Sequence, residues 1–130
     1  MKLLLDTHVL IWALQDSEQL PLRIREMLID ESNEIYVSII SLCEIAIKHK
    51  KMPNLMPFAM KEIRDYSQRA GYIFLSLSVD NVSTFESLDL SMHKDPFDQI
   101  LVSQSVSNNM RLITHDEALK KYGVGFIELF

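Results

Sequence analysis

The segment Leu3-Leu4-Leu5-Asp6 is an uninterrupted apolar run that ends at a carboxylate. A short run that is apolar at every position is typical of a strand buried on both faces of a parallel sheet. Further strands are predicted at 35–37, 72–77, 111–114 and 124–129, where β-branched, aromatic and other apolar residues cluster. The segment 3–6 therefore predicts the first strand of a sheet that several later segments join.

Helical segments alternate with these strands along the chain. Apolar periodicity and helix-stop residues predict helices at 9–14, 21–30, 40–51, 58–70, 79–85, 96–106 and 116–122. Such alternation indicates an α/β fold with three layers, α/β/α, around a central, mostly parallel sheet of about five strands. No linker or repeat divides the chain, so we expect a single domain over residues 1–130.

The composition is that of a folded globular protein of 130 residues, with 48% hydrophobic and 24% charged residues. No apolar run approaches the roughly 20 residues that a membrane helix needs. The one cysteine, Cys43, cannot form an intramolecular disulfide, which favours the cytoplasm. Cys43 lies among apolar residues, and we predict that it is a core residue.

The net charge of −5 argues against a protein that coats nucleic acid nonspecifically, but it does not exclude an enzyme that acts on nucleic acid. Five basic residues and one acid lie between Lys48 and Arg64, and four acids and one lysine lie between Glu86 and Asp98. A basic rim beside an acidic pocket suits a polyanion. Two solvated helix faces are the simpler interpretation.

Five acids are expected to meet at one edge of the sheet. Asp6 directly follows the first strand and Asp116 follows the fourth, while Glu44 lies one turn into the helix after the second. Asp95 and Asp98 stand at the start of the helix that leads into the fourth strand. Ligands of such sheets bind beyond the carboxyl ends of the strands, where these acids are placed.

Each acid also has a simpler structural interpretation. Asp6, Asp95 and Asp116 each stand where a helix N-cap is expected, and Asp98 stands where a capping-box acid is expected. Glu44 has apolar neighbours, so its charge needs either a bound cation or a basic partner side chain.

Clustered carboxylates repel one another, and a hard divalent cation relieves that repulsion. A site made only of oxygen ligands favours Mg²⁺ or Mn²⁺ over zinc, and the histidines show no zinc-site spacing. Thr114 could hold a ligand carboxylate or simply serve the strand. His8 and His115 flank the predicted site and either touch substrate or begin helices. Lys48, Lys50 and Lys51 are candidates to hold the phosphates of a polyanion, or they form a solvated helix end.

Other chemistries fit less well. The chain has no glycine-rich phosphate loop and no G-x-S-x-G nucleophile elbow. A phosphohydrolase with Asp6 as its nucleophile is a further alternative. In the aspartyl-phosphatase pattern a second aspartate stands two residues after the nucleophile, where this chain has His8.

Four segments together resemble the PIN-domain ribonucleases, and among them the VapC-type toxins of prokaryotic toxin–antitoxin pairs. The segments are L-L-L-D-T-H-V-L-I-W (3–12), V-S-I-I-S-L-C-E-I-A-I-K (37–48), H-K-D-P-F-D-Q-I-L-V-S-Q-S (93–105) and L-I-T-H-D (112–116). They follow the order of the family across almost the whole chain. Two residues depart from the pattern of this branch: Cys43 replaces the common tryptophan and His115 the common arginine.

The resemblance implies an endoribonuclease that depends on Mg²⁺ or Mn²⁺ and is the toxin of a type II toxin–antitoxin pair. The acids of the family correspond to Asp6, Glu44, Asp98 and Asp116, and Asp95 is an additional acid of the D-P-F-D branch. A homodimer, a small cognate antitoxin and an RNA substrate are also implied. A catalytically silent PIN-like binding module is the alternative.

Overall fold

The computed structural model describes residues 1–89, 95–122 and 126–130, and its central element is a five-stranded sheet. The strands are β1 (Lys2–Leu5), β2 (Glu34–Ser38), β3 (Ile73–Leu75), β4 (Arg111–Thr114) and β5 (Ile127–Leu129). The strand order is β3-β2-β1-β4-β5, and every neighbouring pair is parallel. The predicted sheet is confirmed, with a shorter third strand than expected.

The helices are α1 (Thr7–Leu14), α2 (Leu22–Ile29), α3 (Ile39–Lys51), α4 (Met60–Arg69), α5 (Val79–Ser87) and α6 (Pro96–Ser107). The last predicted helix is a 3₁₀ helix, Glu117–Tyr122. Its predicted stop at Gly123 and the predicted strand start at Val124 lie outside the described residues, as do His93 and Lys94.

The sheet has a hydrophobic core on each face, which explains why β1 is apolar at every position. Leu3 and Leu5 pack with α1 to α4 on one face, while Leu4 packs with α6 and the 3₁₀ helix on the other. All three leucines are fully buried. Two helical layers around one sheet confirm the predicted three-layer α/β/α architecture.

The pairing of β1 with β4 positions the candidate site. Leu5 is in register with Ile113, and the backbone N–H of Asp6 donates to the carbonyl of Ile113 at 3.0 Å. Asp6 and Thr114 therefore leave the sheet side by side at its carboxyl edge. The helices α1 and α3 begin at the same edge, because each directly follows a strand.

The prediction that Cys43 is a core residue is wrong, because its side chain is exposed. The inner face of α3 is formed by Ser41, Leu42, Glu44 and Ile45, and this leaves Cys43 on the outer face. The outer face is also partly apolar, so the composition of the helix did not show which side is buried. In the described part of the chain, no helix is long and apolar enough to cross a membrane.

Candidate active site

A cavity of about 560 Å³ at the carboxyl edge of the sheet brings the predicted acids together. It is lined by five carboxylates, two histidines and a tryptophan: Asp6, His8, Trp12, Glu44, Asp95, Asp98, His115 and Asp116. All five acids that the sequence placed at this edge lie in its wall. Among the described residues that line the cavity, none is a lysine or an arginine.

Asp6 is almost fully buried between β1 and α1, and both of its carboxylate oxygens accept hydrogen bonds. Oδ2 accepts from the Thr114 hydroxyl at 2.7 Å, and Oδ1 accepts from the backbone N–H of His8 at 3.2 Å. The second bond makes Asp6 the N-cap of α1. Burial raises the pKa of the Asp6 carboxyl above its ordinary value, and this effect outweighs the lowering by the two hydrogen bonds.

Glu44 is the most unusual of the acids, because it is buried in a helix and has a cation of its own. Its exposed fraction is 3%. Oε1 accepts from the Thr7 hydroxyl at 2.8 Å, and Oε2 forms a 2.6 Å ion pair with the ammonium of Lys48, one helical turn later. The basic partner that the sequence left open as an alternative is therefore present, and it is Lys48.

Lys48 extends from α3 toward the carboxylates. Burial alone would lower the pKa of Lys48, but the hydrogen bond to Glu44 and the charges of Glu44, Asp95 and Asp98 raise it overall. Its ammonium is therefore held in the charged form against the acidic site. Lys50 and Lys51 are exposed near the end of α3, roughly 10 Å farther along the helix axis than Glu44. The structure does not bring them into the wall of the cavity.

Thr114 connects two of the acids at the end of β4. Its hydroxyl donates to Asp6 and accepts the backbone N–H of Asp116 at 3.1 Å. The Asp116 carboxylate in turn accepts the backbone N–H of Ala118 at 2.9 Å, at the start of the 3₁₀ helix. Thr114 is fully buried, so this hydroxyl has a fixed role in orienting both neighbours.

Asp95 and Asp98 share the first turn of α6. The carboxylate of Asp95 accepts the backbone N–H of Phe97 at 2.9 Å, and Pro96 is the first helical residue, as the sequence predicted. Asp98 is partly buried and lies in the cavity wall. The capping of α6 thus holds the Asp98 side chain at the cavity.

The sequence did not reveal two features of the site. One is Thr7, whose hydroxyl donates to Glu44 and lies within hydrogen-bond distance of the Ser41 hydroxyl; its position directly after Asp6 was the only available signal. The other is a ring cluster at the rim, where Trp12 and Phe130 contact His115. No local pattern pairs Phe130 with a residue fifteen positions earlier in the chain.

The chemistry of the donors fits a hard divalent cation, because the cavity wall offers five carboxylates and no thiolate. Burial raises the pKa of the Asp6 carboxyl, and the charge of Glu44 adds to this effect. Among residues 1–89, 95–122 and 126–130, no three His, Cys, Asp or Glu side chains are already arranged as a metal site. The carboxylates would therefore have to turn toward an ion in order to bind it.

Comparison with known proteins agrees with this architecture. A family model described as PIN domain matches residues 3–125. Comparison with curated proteins finds no matching relative. The solved structure of VapBC2 from Rickettsia felis, bound to a DNA fragment from the promoter, is similar with a TM-score of 0.72 and 16% identity. That match covers 99% of this chain and 98% of the other.

Two further VapBC structures are similar at comparable levels. DNA-bound VapBC from Salmonella typhimurium has a TM-score of 0.69 and 18% identity, covering 98% of this chain and 97% of that one. VapBC-1 from Haemophilus influenzae has a TM-score of 0.67 and 15% identity, covering 94% and 92%. At these identities the likeness establishes the fold. Since the family model spans nearly the whole sequence, as the four quoted segments led us to expect, the chain belongs to the PIN domain family.

Proposed function

We propose that this chain is a single-domain endoribonuclease that depends on Mg²⁺ or Mn²⁺. The observation that carries the proposal is the single cavity lined by five carboxylates at the carboxyl edge of a parallel sheet. Carboxylates gathered in this way repel one another unless a cation joins them. A divalent ion that binds there would also meet the phosphate of a nucleic acid.

Asp6, Asp98 and Asp116 would hold the ion, and Glu44 would be a further ligand or the group that orients the attacking water. Such an ion, when bound, lowers the pKa of water and neutralises charge on a phosphate. Thr114 keeps the Asp6 carboxylate in one orientation, and Thr7 does the same for Glu44. Asp95 would support the site through the helix that it caps.

The reaction is hydrolysis of an RNA phosphodiester. The oxygen of water attacks phosphorus in line with the leaving group, and the bond between phosphorus and the 3′-oxygen breaks. The 3′-oxygen takes up a proton, so the products carry a 5′-phosphate and a 3′-hydroxyl. Lys50 and Lys51 would contact more distant phosphates, while Lys48 is engaged with Glu44.

The biological role that we propose is that of a toxin in a type II toxin–antitoxin pair, acting in the cytoplasm as a homodimer. The similar solved structures support this role, since they include VapBC proteins and a toxin–antitoxin complex from Klebsiella pneumoniae. Large apolar side chains that stay exposed, such as Val79 at 85% and Leu55 at 75%, are consistent with a protein partner.

The test is RNA cleavage by the purified chain. We expect cleavage with Mg²⁺ or Mn²⁺, no cleavage in EDTA, and 5′-phosphate ends on the products. Asp6→Asn and Asp98→Asn should abolish cleavage while circular dichroism shows an intact fold. Full activity in EDTA would contradict the metal mechanism.

The alternatives predict other results. A catalytically silent binding module would cleave no RNA with any metal, and a metal titration would show no saturable binding. A phosphohydrolase would form a covalent phosphate on Asp6, which mass spectrometry would detect. The burial of Asp6 and the engagement of both its oxygens argue against a nucleophile.

A further inference from the structure

In the described part of the chain, four aromatic and imidazole rings form a cluster beside the acidic cavity. The centroid of Trp12 lies 6.1 Å from that of His8, 5.6 Å from that of His115 and 6.3 Å from that of Phe130. His115 and Phe130 lie 5.0 Å apart. We name these four residues the ring cluster. Three of them, His8, Trp12 and His115, also line the cavity.

The ring cluster is attached to the same backbone that positions the carboxylates. His8 and Trp12 lie one turn apart on α1, which Asp6 caps, and His115 stands between Thr114 and Asp116. Nδ1 of His115 donates to the backbone carbonyl of Phe130. This bond fixes the orientation of the imidazole ring relative to the site.

Trp12 and Phe130 pack against one hydrophobic core, but the ring cluster is not fully enclosed by it. Trp12 is only partly buried, and His8 and His115 are exposed. Rings that served only to fill the interior would be covered by other side chains. Here three of the rings line a cavity whose other described lining residues are all carboxylates. The cavity therefore combines a candidate site for a cation with a surface of flat rings.

A nucleobase fits that surface, because a base is flat and uncharged. Each base also lies within one nucleotide of a phosphate. Carboxylates repel the phosphates of an RNA, so a contact with a base adds affinity that does not depend on phosphate charge. Stacking of a base on an aromatic ring contributes about 1–3 kcal/mol, which is roughly 5- to 100-fold in affinity. Stacking also tolerates any base, since all bases have a π face.

We propose that His8, Trp12 and His115 form a stacking site for one unpaired nucleobase, next to the phosphate that the carboxylates address. This inference rests on the proposed ribonuclease function and deepens it. The stacked base holds the strand in place, while the lysines of α3 contact the backbone elsewhere. Single-stranded regions of RNA are then preferred over duplex, because a paired base cannot leave its stack to reach the rings.

The chain carries its own reporter for this contact, since Trp12 is the only tryptophan. We suggest adding a short single-stranded RNA to the Asp98→Asn variant, which should leave the RNA uncleaved. A series of the same RNA with one abasic nucleotide at each position in turn is the comparison. We expect quenching of Trp12 emission by the intact RNA. One abasic position should weaken binding roughly 5- to 100-fold and reduce the quenching.

Variants assign the effect to the rings. Binding of labelled RNA, measured by anisotropy, should weaken with Trp12→Leu and His115→Ala, and the difference between intact and abasic RNA should shrink toward onefold. Trp12→Phe should retain most of the difference. Phe85→Leu, which removes an exposed ring on α5, is the matched control and should change nothing. Thermal unfolding identifies any variant that fails to fold. If Trp12→Leu fails to fold, His115→Ala tests the same contact.

The outcomes separate this inference from the function on which it rests. If the wild-type chain cleaves RNA but no abasic position weakens binding and Trp12 is not quenched, the stacking site is wrong and the ribonuclease stands. If the chain cleaves no RNA with any metal, the proposed function fails. Tight binding of duplex RNA, with no preference for single strands, would also overturn the stacking site.

Discussion

Glu44 shows how a single buried carboxylate is compensated in this fold. Its two oxygens accept from Thr7 and from Lys48, and the ammonium of Lys48 supplies a full positive charge at 2.6 Å. A carboxylate in this position without such a partner would be costly to bury. Lys48 thus compensates the charge of one acid of the cavity in the absence of a metal.

Replacing Lys48 with methionine should therefore make the stability of the chain depend more strongly on metal. In EDTA we expect Lys48→Met to lower the free energy of unfolding by about 1–3 kcal/mol, less than for a fully buried pair because the Lys48 side chain is 35% exposed. Thermal unfolding with and without Mn²⁺ measures this effect. Mn²⁺ should raise the Tm of the variant more than that of the wild type.

Lys50→Met is the matched control for that substitution, because Lys50 is exposed on the same helix. It should leave both the Tm in EDTA and the response to Mn²⁺ unchanged. An unchanged Tm for Lys48→Met in EDTA would mean that Lys48 does not stabilise the buried Glu44 carboxylate.

Asp6 gives a second prediction, which concerns pH. Because burial raises its pKa in the fold above 3.8, the folded chain binds this proton more tightly than the unfolded chain does. Its contribution to stability is therefore largest at low pH and decreases as the pH rises from the unfolded pKa through the raised folded pKa. In metal-free protein, Asp6→Asn should remove this decrease and raise the Tm at pH 7.

The asparagine fits the hydrogen bonds at this position. Its carbonyl oxygen can accept from His8, and its amide can donate to the Thr114 hydroxyl, which has a lone pair available beside the bond from Asp116. Unfolding scans from pH 4 to 8 in EDTA measure the effect. A lower Tm for Asp6→Asn than for wild type at pH 7 would contradict the prediction.

The elements of the fold use capping to carry the site. Asp6 caps α1, Asp95 caps α6, and Asp116 accepts a backbone N–H at the start of the 3₁₀ helix. All three therefore serve as structural caps, and all three also line the cavity. An acid can be both a helix cap and a residue of the candidate site, because a helix that begins at the carboxyl edge of the sheet presents its capping acid there.

Asp95 and Asp98 provide a test at the level of α6. Asp95→Ala removes the cap and should cost about 1 kcal/mol, whereas Asp95→Asn keeps an acceptor for the Phe97 N–H and should cost little. We expect Asp95→Asn to retain RNA cleavage and Asp98→Asn to lose it. Chemical denaturation and a cleavage assay measure the two effects. Loss of cleavage in Asp95→Asn would instead indicate that Asp95 is a metal ligand.

Much of this architecture was predictable, because buried parallel strands leave a clear apolar pattern. The Leu3–Leu5 run gave the central strand, and the rule for sheet edges brought five acids to one cavity. Contacts between distant side chains left no local pattern. The buried Gln104, whose side chain accepts from Ser38 at 2.5 Å, is one example, and the contact between Phe130 and His115 is another. The buried side of α3 was predicted wrongly at Cys43, since apolar residues occur on both faces of this helix.

The whole molecule combines a net charge of −5 with an acidic cavity, so its binding of RNA has to come from local features. A divalent ion at the carboxylates, bases at the ring cluster and phosphates at the lysines of α3 would together provide such features. The homodimer that we propose would have about twice the mass of one 15.1 kDa chain. Light scattering during size-exclusion chromatography measures that mass, and a single-chain mass at micromolar concentration would contradict the dimer.

The central claim is that the carboxylates of one cavity bind a divalent ion that RNA cleavage requires. The most direct measurement is the cleavage rate of a single-stranded RNA as a function of Mn²⁺ concentration, for the wild type and for Asp98→Asn. We predict a rate that rises from zero in EDTA to a plateau in the wild type and no cleavage in Asp98→Asn at any concentration. Undiminished cleavage in EDTA, or by folded Asp98→Asn, would contradict the claim.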